Sequence, residues 1–299
     1  MKVATLQFSP VLGDFNANIT RANTILETHK PTKLDLLVLP ELSFTGYNFP
    51  NLEAISPYLE PTASGPTTEW AKTTAQRLRC NVTVGYPERT IPDNETDATS
   101  KNYNAIVTVS PFGEVLAHYR KSFLYYTDET WASEGDGTFF NGEIPALGSV
   151  SMGICMDINP YRFEAPWTAY EFATHCVAKK TDLVVLSMAW LTRLMPAELA
   201  LEPQQPDMET VAYWLERFFP CTVEPEGDVV LVFANRSGLE GEVGRAIETA
   251  DGAVLQGGAQ VCYAGSSCVM HIQHGQVQIF DMLGKSEERL LVVDTAQVR

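Results

Sequence analysis

Three side chains in this sequence could together perform acyl transfer: the carboxylate of Glu41, the ammonium of Lys121 and the thiol of Cys155. A thiol becomes an effective nucleophile when its proton is removed; a neighbouring carboxylate can take that proton while an ammonium favours the thiolate. The same ammonium can stabilise the oxyanion formed when sulfur adds to a carbonyl or carboxamide. Taken singly, each residue has a plain structural reading: Glu41 as a loop acid, Lys121 as a solvated cation, Cys155 as a small buried hydrophobe. Their common placement is what changes the reading. "LDLLVLP" runs into Glu41, "EVLAHYRK" ends on Lys121 and "SVSMGIC" ends on Cys155, and the ends of strands are where α/β folds set functional groups.

The elements that must deliver these residues alternate along the chain. "KVATLQF" reads as a strand, and "NANITRANTILETHK" follows as a helix with Ile19, Ala22, Ile25, Leu26 and His29 on one face and Pro31 as its stop. "LDLLVLPE" is a buried strand ending in the acid, "GPTTEWAKTTAQRLRC" a helix opening with Pro66, and "NVTVGYPE" the next strand. After the polar loop "TIPDNETDATSK", the runs "YNAIVTVS" and "EVLAHYRK" flank Pro111-Phe112-Gly113 as a hairpin. The second half predicts strand "SVSMGICM", helix "APWTAYEFATHCVAK", strand "DLVVLSMAW", helix "DMETVAYWLERFF" and strand "DVVLVFANRSG", then strands "AQVCYAGSSCVM", "GQVQIF" and "ERLLVVD". No Gly/Ser linker, charge block or low-complexity segment divides the chain, which predicts a single domain over 1–299 with helices outside mixed sheet. So many strands suit two sheets in four layers; the elements alone leave one large sheet open.

Composition narrows the class of molecule. The 299 residues are 45% hydrophobic, enough for a sizeable core. A formal charge of −16 argues against a nucleic-acid partner, which needs a basic face. No stretch approaches the ~18 apolar residues of a membrane span, and the amino terminus has no signal-peptide run. Cysteines at 80, 155, 176, 221, 262 and 268 form no Cys-x-x-Cys pair, so no metal site is expected, and reduced thiols predict a cytoplasmic location.

"LPELSFTGYNF", "HYRKSFLYYTDE" and "GICMDINPYRFEAP" resemble the three signature regions of the nitrilase (carbon–nitrogen hydrolase) superfamily, with 80 residues from Glu41 to Lys121 and 34 from Lys121 to Cys155. "ANRSG" at 234–238 resembles a later strand end of the same superfamily. The resemblance implies an α/β fold, a four-layer αββα sandwich of the nitrilase type with two mixed β-sheets, and Glu41, Lys121 and Cys155 as catalytic triad. It also implies Glu129 as a second active-site glutamate positioning Lys121 or the substrate; the plain reading of Glu129 is a loop acid. Many members resemble Cys-Tyr-Asp-x-Arg-Phe-Pro-Glu after the cysteine, whereas here Met156 replaces the aromatic residue and "INPY" lengthens the path to Arg162. With "TGYNF", this departure resembles the protein N-terminal amidase branch, which converts amino-terminal Asn or Gln of polypeptides to Asp or Glu. Alternatives are a small-molecule amidase of ω-amidase or carbamoylase type and, from another class, a non-catalytic thiol protein on the same scaffold. The complete triad speaks against the last.

On this reading the Met156 backbone N–H joins Lys121 in holding the oxyanion, a thioester forms on Cys155, and no metal or organic cofactor takes part. The implied substrates are peptide or protein N-termini, and homodimers are common in the superfamily. Asp157 and Glu164 could bind a substrate's α-ammonium, or hold the loop through Arg162. Tyr125, Tyr126 and Trp131 could wall the pocket or simply pack, and His175 reads as a helix-face residue.

Overall fold

The computed structural model of the chain describes residues 1–91, 100–242, 247–248, 254–255 and 260–296; most of the polar loop expected at 90–101 lies outside the described residues. The strand Lys2–Gln7 shows how the layers arise. Because a pleat sends successive side chains to opposite faces, Val3 enters the core shared by two sheets. Ala4 and Leu6 enter a second cluster with Ala22 and Leu26 of helix Phe15–His29 and with Trp70, Ala71 and Ala75 of helix Pro66–Leu78. Strand Leu36–Val38 divides likewise, with Leu36 and Val38 in the shared core and Leu37 under the helices.

The first sheet has seven strands. Six run in the order Arg289–Asp294, Lys2–Gln7, Leu36–Val38, Asn81–Arg89, Asn102–Val109, Val115–Arg120, and the two-residue strand Glu60–Pro61 pairs with Asn81–Arg89. Lys2–Gln7, Leu36–Val38 and Asn81–Arg89 are parallel, and the flanking strands of the six are antiparallel to their neighbours. The second sheet has six, in the order Gln276–Met282, Cys268–Gln273, Asp228–Asn235, Leu183–Met188, Gly148–Ile154, Phe140–Ile144, of which Asp228–Asn235, Leu183–Met188 and Gly148–Ile154 are parallel. Ile106 and Tyr119 of the first sheet share one core with Val150, Met152, Val184 and Leu186 of the second. Over the second sheet, Trp214 of helix Met208–Arg217 stacks on Phe233 at 5.0 Å. Helix Glu171–Ala178 comes close enough that a Cβ at Gly153 would lie 2.9 Å from the Phe172 ring. The order is helix, sheet, sheet, helix: the expected αββα sandwich with two mixed sheets, and not one large sheet.

Among the elements that differ from the sequence reading are a shortened helix, a divided strand and an added strand. The helix expected over 165–179 begins only at Glu171, because Tyr170 is left-handed (φ 45) and a 3-10 turn, Trp167–Ala169, precedes it. "AQVCYAGSSCVM" divides between strand Gln260–Cys262, paired with Leu239–Glu242, and strand Cys268–Gln273 of the second sheet; left-handed Gly265 and Ser266 make the break. Strand Phe140–Ile144 was not expected, since "FNGEI" lacks apolar alternation.

Candidate active site

Glu41 leaves strand Leu36–Val38 on a turn whose next residue, Leu42, is left-handed (φ 43). The turn lies so close to Gly85 that a Cβ there would sit 2.7 Å from Leu42 N and 2.9 Å from Glu41 Cα. Only a glycine permits that approach, and it seats the carboxylate, fully buried, where the two sheets meet. Ser187 Oγ donates to the Leu39 carbonyl at 2.8 Å and Ala189 N donates to Glu41 Oε2 at 2.9 Å, so the ends of strands Leu36–Val38 and Leu183–Met188 are tied together at the site. Asn235, in the "ANRSG" run, fixes the next residue of that loop by accepting Trp190 N at 2.7 Å.

Lys121 follows strand Val115–Arg120 and is also fully buried. Its Nζ donates to Glu41 Oε1 and to Asp128 Oδ2, both at 2.6 Å. Asn104 completes the cluster: its Nδ2 donates to Glu41 Oε1 at 2.6 Å and to Asp128 Oδ1 at 3.0 Å, and its own backbone carbonyl accepts Lys121 N at 2.8 Å. One ammonium thus sits between two carboxylates that a single amide holds in place. Burial raises Glu41 to about 7, opposed by Lys121 and reinforced by Asp128. For Lys121, burial alone would lower the pKa, but Asp128 and Glu41 raise it above the usual lysine range, so it stays charged.

Cys155 ends strand Gly148–Ile154 and opens the 3-10 turn Cys155–Ile158 with φ 42, a conformation a β-carbon resists and the surroundings must impose. Asp157 supplies the constraint. Its buried carboxylate accepts Ile154 N at 2.7 Å, Phe123 N at 2.8 Å, Ser122 N at 3.1 Å and the Tyr119 hydroxyl at 2.8 Å, pinning the Cys155 turn to the segment around Lys121. Burial and the Glu41 carboxylate push the Cys155 thiol well above its ordinary pKa, with Lys121 and the Ala189 N–H acting the other way. The resting thiol is therefore protonated, beside a carboxylate able to take its proton. Above Cys155 lies a pocket whose walls include Tyr47, Tyr125, Met156, Asn159, Trp190 and Thr192. Trp190 and Thr192 also belong to an open groove of about 560 Å³.

The structure brings Glu41, Lys121 and Cys155 into one cluster and places Met156 and Tyr125 on the pocket wall. Four expected site residues do not reach it. Glu129 is exposed, and the carboxylate on Lys121 belongs to Asp128: both lie in the 3-10 turn Asp128–Thr130, where neighbouring side chains point in different directions. Asp157 is spent on four internal donors, touching neither the pocket wall nor Arg162. Glu164 is exposed, while Arg162 pairs with Glu134 at 3.8 Å. Trp131 is buried in the cluster behind the pocket, with Leu42, Tyr47 and Tyr263. Of the residues the sequence reading missed, Asn104 had a usable signal: continuing the pairing Ala105↔Arg120 of the hairpin by one step sets Asn104 beside Lys121. Among the described residues no group of three or more His, Cys, Asp or Glu side chains could hold a metal ion.

The chain that carries this arrangement of carboxylate, ammonium and strained cysteine has relatives. The chain is 33% identical to the protein N-terminal amidase of Schizosaccharomyces pombe across 98% of both chains. It is 34% identical to the protein N-terminal amidase of Saccharomyces cerevisiae over 64% of this chain and 45% of that one. A crystal structure of N-terminal amidase with an Asn-Glu-Ala peptide superposes with a TM-score of 0.80 at 22% identity, covering 98% of this chain and 97% of the other, a likeness of fold. The sequence profile of the carbon-nitrogen hydrolase family matches residues 2–162, a span that contains Glu41, Lys121 and Cys155. On its profile and its full-length relative, the chain belongs to the carbon-nitrogen hydrolase family.

Proposed function

We propose that the protein converts the amino-terminal Asn or Gln of peptides and proteins to Asp or Glu with release of ammonia. The observation that carries this reading is the end-to-end identity of 33% with a protein N-terminal amidase. The groove entered at Trp190 and Thr192 fits it, since a polypeptide substrate needs a path out of the pocket and a small amide does not.

In this mechanism Glu41 takes the Cys155 proton as sulfur adds to the side-chain carboxamide carbon, giving a tetrahedral intermediate. Its oxyanion is held by Lys121 and by the Met156 N–H, which lies in the first turn of a short helix where backbone donors lack intrahelical partners. Protonated Glu41 then gives its proton to the departing nitrogen, ammonia leaves, and a thioester remains on Cys155. Water enters, loses a proton to Glu41 and attacks the thioester; collapse returns the proton to sulfur and frees the new carboxylate. A base raised to about 7 suits both directions of transfer near neutral pH. Asp128 and Asn104 position Lys121 and Glu41 without touching the substrate carbon. One core shared by both sheets favours a single domain, and six free, buried cysteines favour a reducing, cytoplasmic compartment.

The test is ammonia release and the mass gain of deamidation on short peptides beginning with Asn or Gln, beside N-acetylated copies and peptides with Asn only at internal positions. Activity confined to free amino-terminal Asn or Gln is expected. Turnover only of small free amides would instead favour a small-molecule amidase, and no turnover of any amide would favour a non-catalytic scaffold.

A further inference from the structure

An Asn or Gln substrate carries its α-ammonium on the same carbon from which the polypeptide continues. With the carboxamide against Cys155, that carbon must lie where the pocket opens into the groove, the region walled by Trp190 and Thr192. The acids expected to meet the ammonium are elsewhere: Asp157 is enclosed by its own donors and Glu164 is exposed off the pocket wall. Thr192 and Asp207 occupy the junction instead. Thr192 is 3% exposed, and its hydroxyl donates its single proton to Asp207 Oδ2 at 2.6 Å while accepting Leu194 N at 3.2 Å. A hydroxyl has one proton and two lone pairs, so what remains for the pocket is an acceptor.

The carboxylate behind it is held in register. Asp207 Oδ2 also accepts the Thr210 hydroxyl at 2.9 Å, Oδ1 accepts Thr210 N at 3.2 Å as the N-cap of helix Met208–Arg217, and the Asp207 backbone N–H donates to Ser266 Oγ at 2.8 Å. Its partners are hydroxyls and one backbone N–H, so no ion pair among the described residues neutralises its charge. Asp207 itself lines the groove.

Resting on the N-terminal amidase reading, we infer that Thr192, oriented and polarised by Asp207, is the receptor for the substrate's α-ammonium and so the determinant that confines the enzyme to free chain termini. Thr192 makes the contact. Asp207 is a positioning residue that commits the hydroxyl proton away from the ligand and supplies the opposing charge.

The experiment compares kcat/KM on two substrates: a peptide beginning Asn-Val, and the same peptide with a succinamoyl group in place of Asn, in which hydrogen replaces the α-ammonium. Each enzyme's ratio between them is insensitive to how much of a preparation is folded. The wild type should prefer the amine by about tenfold or more, the scale of a hydrogen bond to a charged group. Thr192→Val and Asp207→Asn should bring that ratio to within about threefold of unity, mainly through KM, while Thr192→Ser keeps it; Asn preserves the N-cap, so Asp207→Asn tests charge and orientation. A wild-type ratio near one, or the wild-type ratio in both Thr192→Val and Asp207→Asn, would overturn the inference while leaving the amidase reading intact. No ammonia from either peptide with wild-type enzyme would remove the amidase reading itself, and the inference with it.

Discussion

Asp128 offers the sharpest test of the catalytic cluster, because its neighbour Glu129 is the residue that family resemblance favours. Two oxygens each 2.6 Å from Lys121 Nζ, Glu41 Oε1 and Asp128 Oδ2, lie no more than about 5 Å apart. At an effective dielectric of about 20, unit charges at that spacing repel by about 3 kcal/mol, or roughly two pH units on the Glu41 carboxyl. Glu41 stands at about 7, with Asp128 among the causes raising it. Asp128→Asn removes that repulsion, so the Glu41 pKa falls. Since Glu41 must be ionised to act, the wild-type kcat/KM should decline as pH drops through about 7, and in Asp128→Asn the decline should move toward about 5. The same substitution costs rate. Asp128 accepts from Lys121 and the Tyr125 backbone N–H through one oxygen and from Asn104 through the other, and an Asn amide must turn its NH2 toward one of those donors. A loss of about a hundredfold in kcat is expected from a displaced Lys121. The assay is ammonia release between pH 5 and 9, with Glu129→Gln alongside, which should keep both the rate and the profile. An Asp128→Asn enzyme with wild-type rate and an unmoved acid limb, or a loss appearing in Glu129→Gln instead, would refute this account of the cluster.

Cys155→Ala should end ammonia release while leaving the melting transition close to wild type, and hydroxylamine added during turnover of the wild type should yield the hydroxamate of the new acyl group; adducts confined to Cys80, Cys176 or Cys221 would move the nucleophile elsewhere. Asp157→Ala strands the Ile154 and Phe123 N–H groups, while Ser122 N and the Tyr119 hydroxyl keep each other as partners, at a cost of about 3 kcal/mol, so Tm should fall by about 5 °C in a thermal melt; an unchanged Tm with only KM raised would return Asp157 to substrate binding. Glu60, buried beside Thr67, has its carboxyl raised by burial from 4.5 to about 7. The folded state therefore favours its protonated form, and stability falls as pH rises from about 4.5 through 7. Glu60→Gln should raise Tm by a few degrees at pH 8 and by much less at pH 5, and an equal shift at both would remove burial of the charge as the cause.

The sequence by itself determined the parts of this protein that repeat along the chain or close locally. "KVATLQF" could be read as a strand, Pro31 marked the end of the first helix, and apolar runs ending in Glu41, Lys121 and Cys155 singled out those three side chains before any distance was known. Such signals survive in one dimension because burial on a strand recurs every second residue and a strand's end is visible where its apolar run stops. Only the tertiary structure decided which side chains serve those groups. Whether Asp128 or Glu129 meets Lys121 depends on which side of one 3-10 turn faces inward, and a single turn has no period to read. Asp157 looked available because it follows the cysteine by two residues; its donors come from the segment 119–123, which the fold sets against the nucleophile turn. Thr192 and Asp207 lie 15 residues apart with nothing between them that announces a pair, and their 2.6 Å contact exists because the loop after Leu183–Met188 and the cap of Met208–Arg217 close on the same mouth of the sandwich. Reactive groups are written by residue type, whereas their orientation and charge are set by contacts between segments far apart in sequence, which no local pattern encodes.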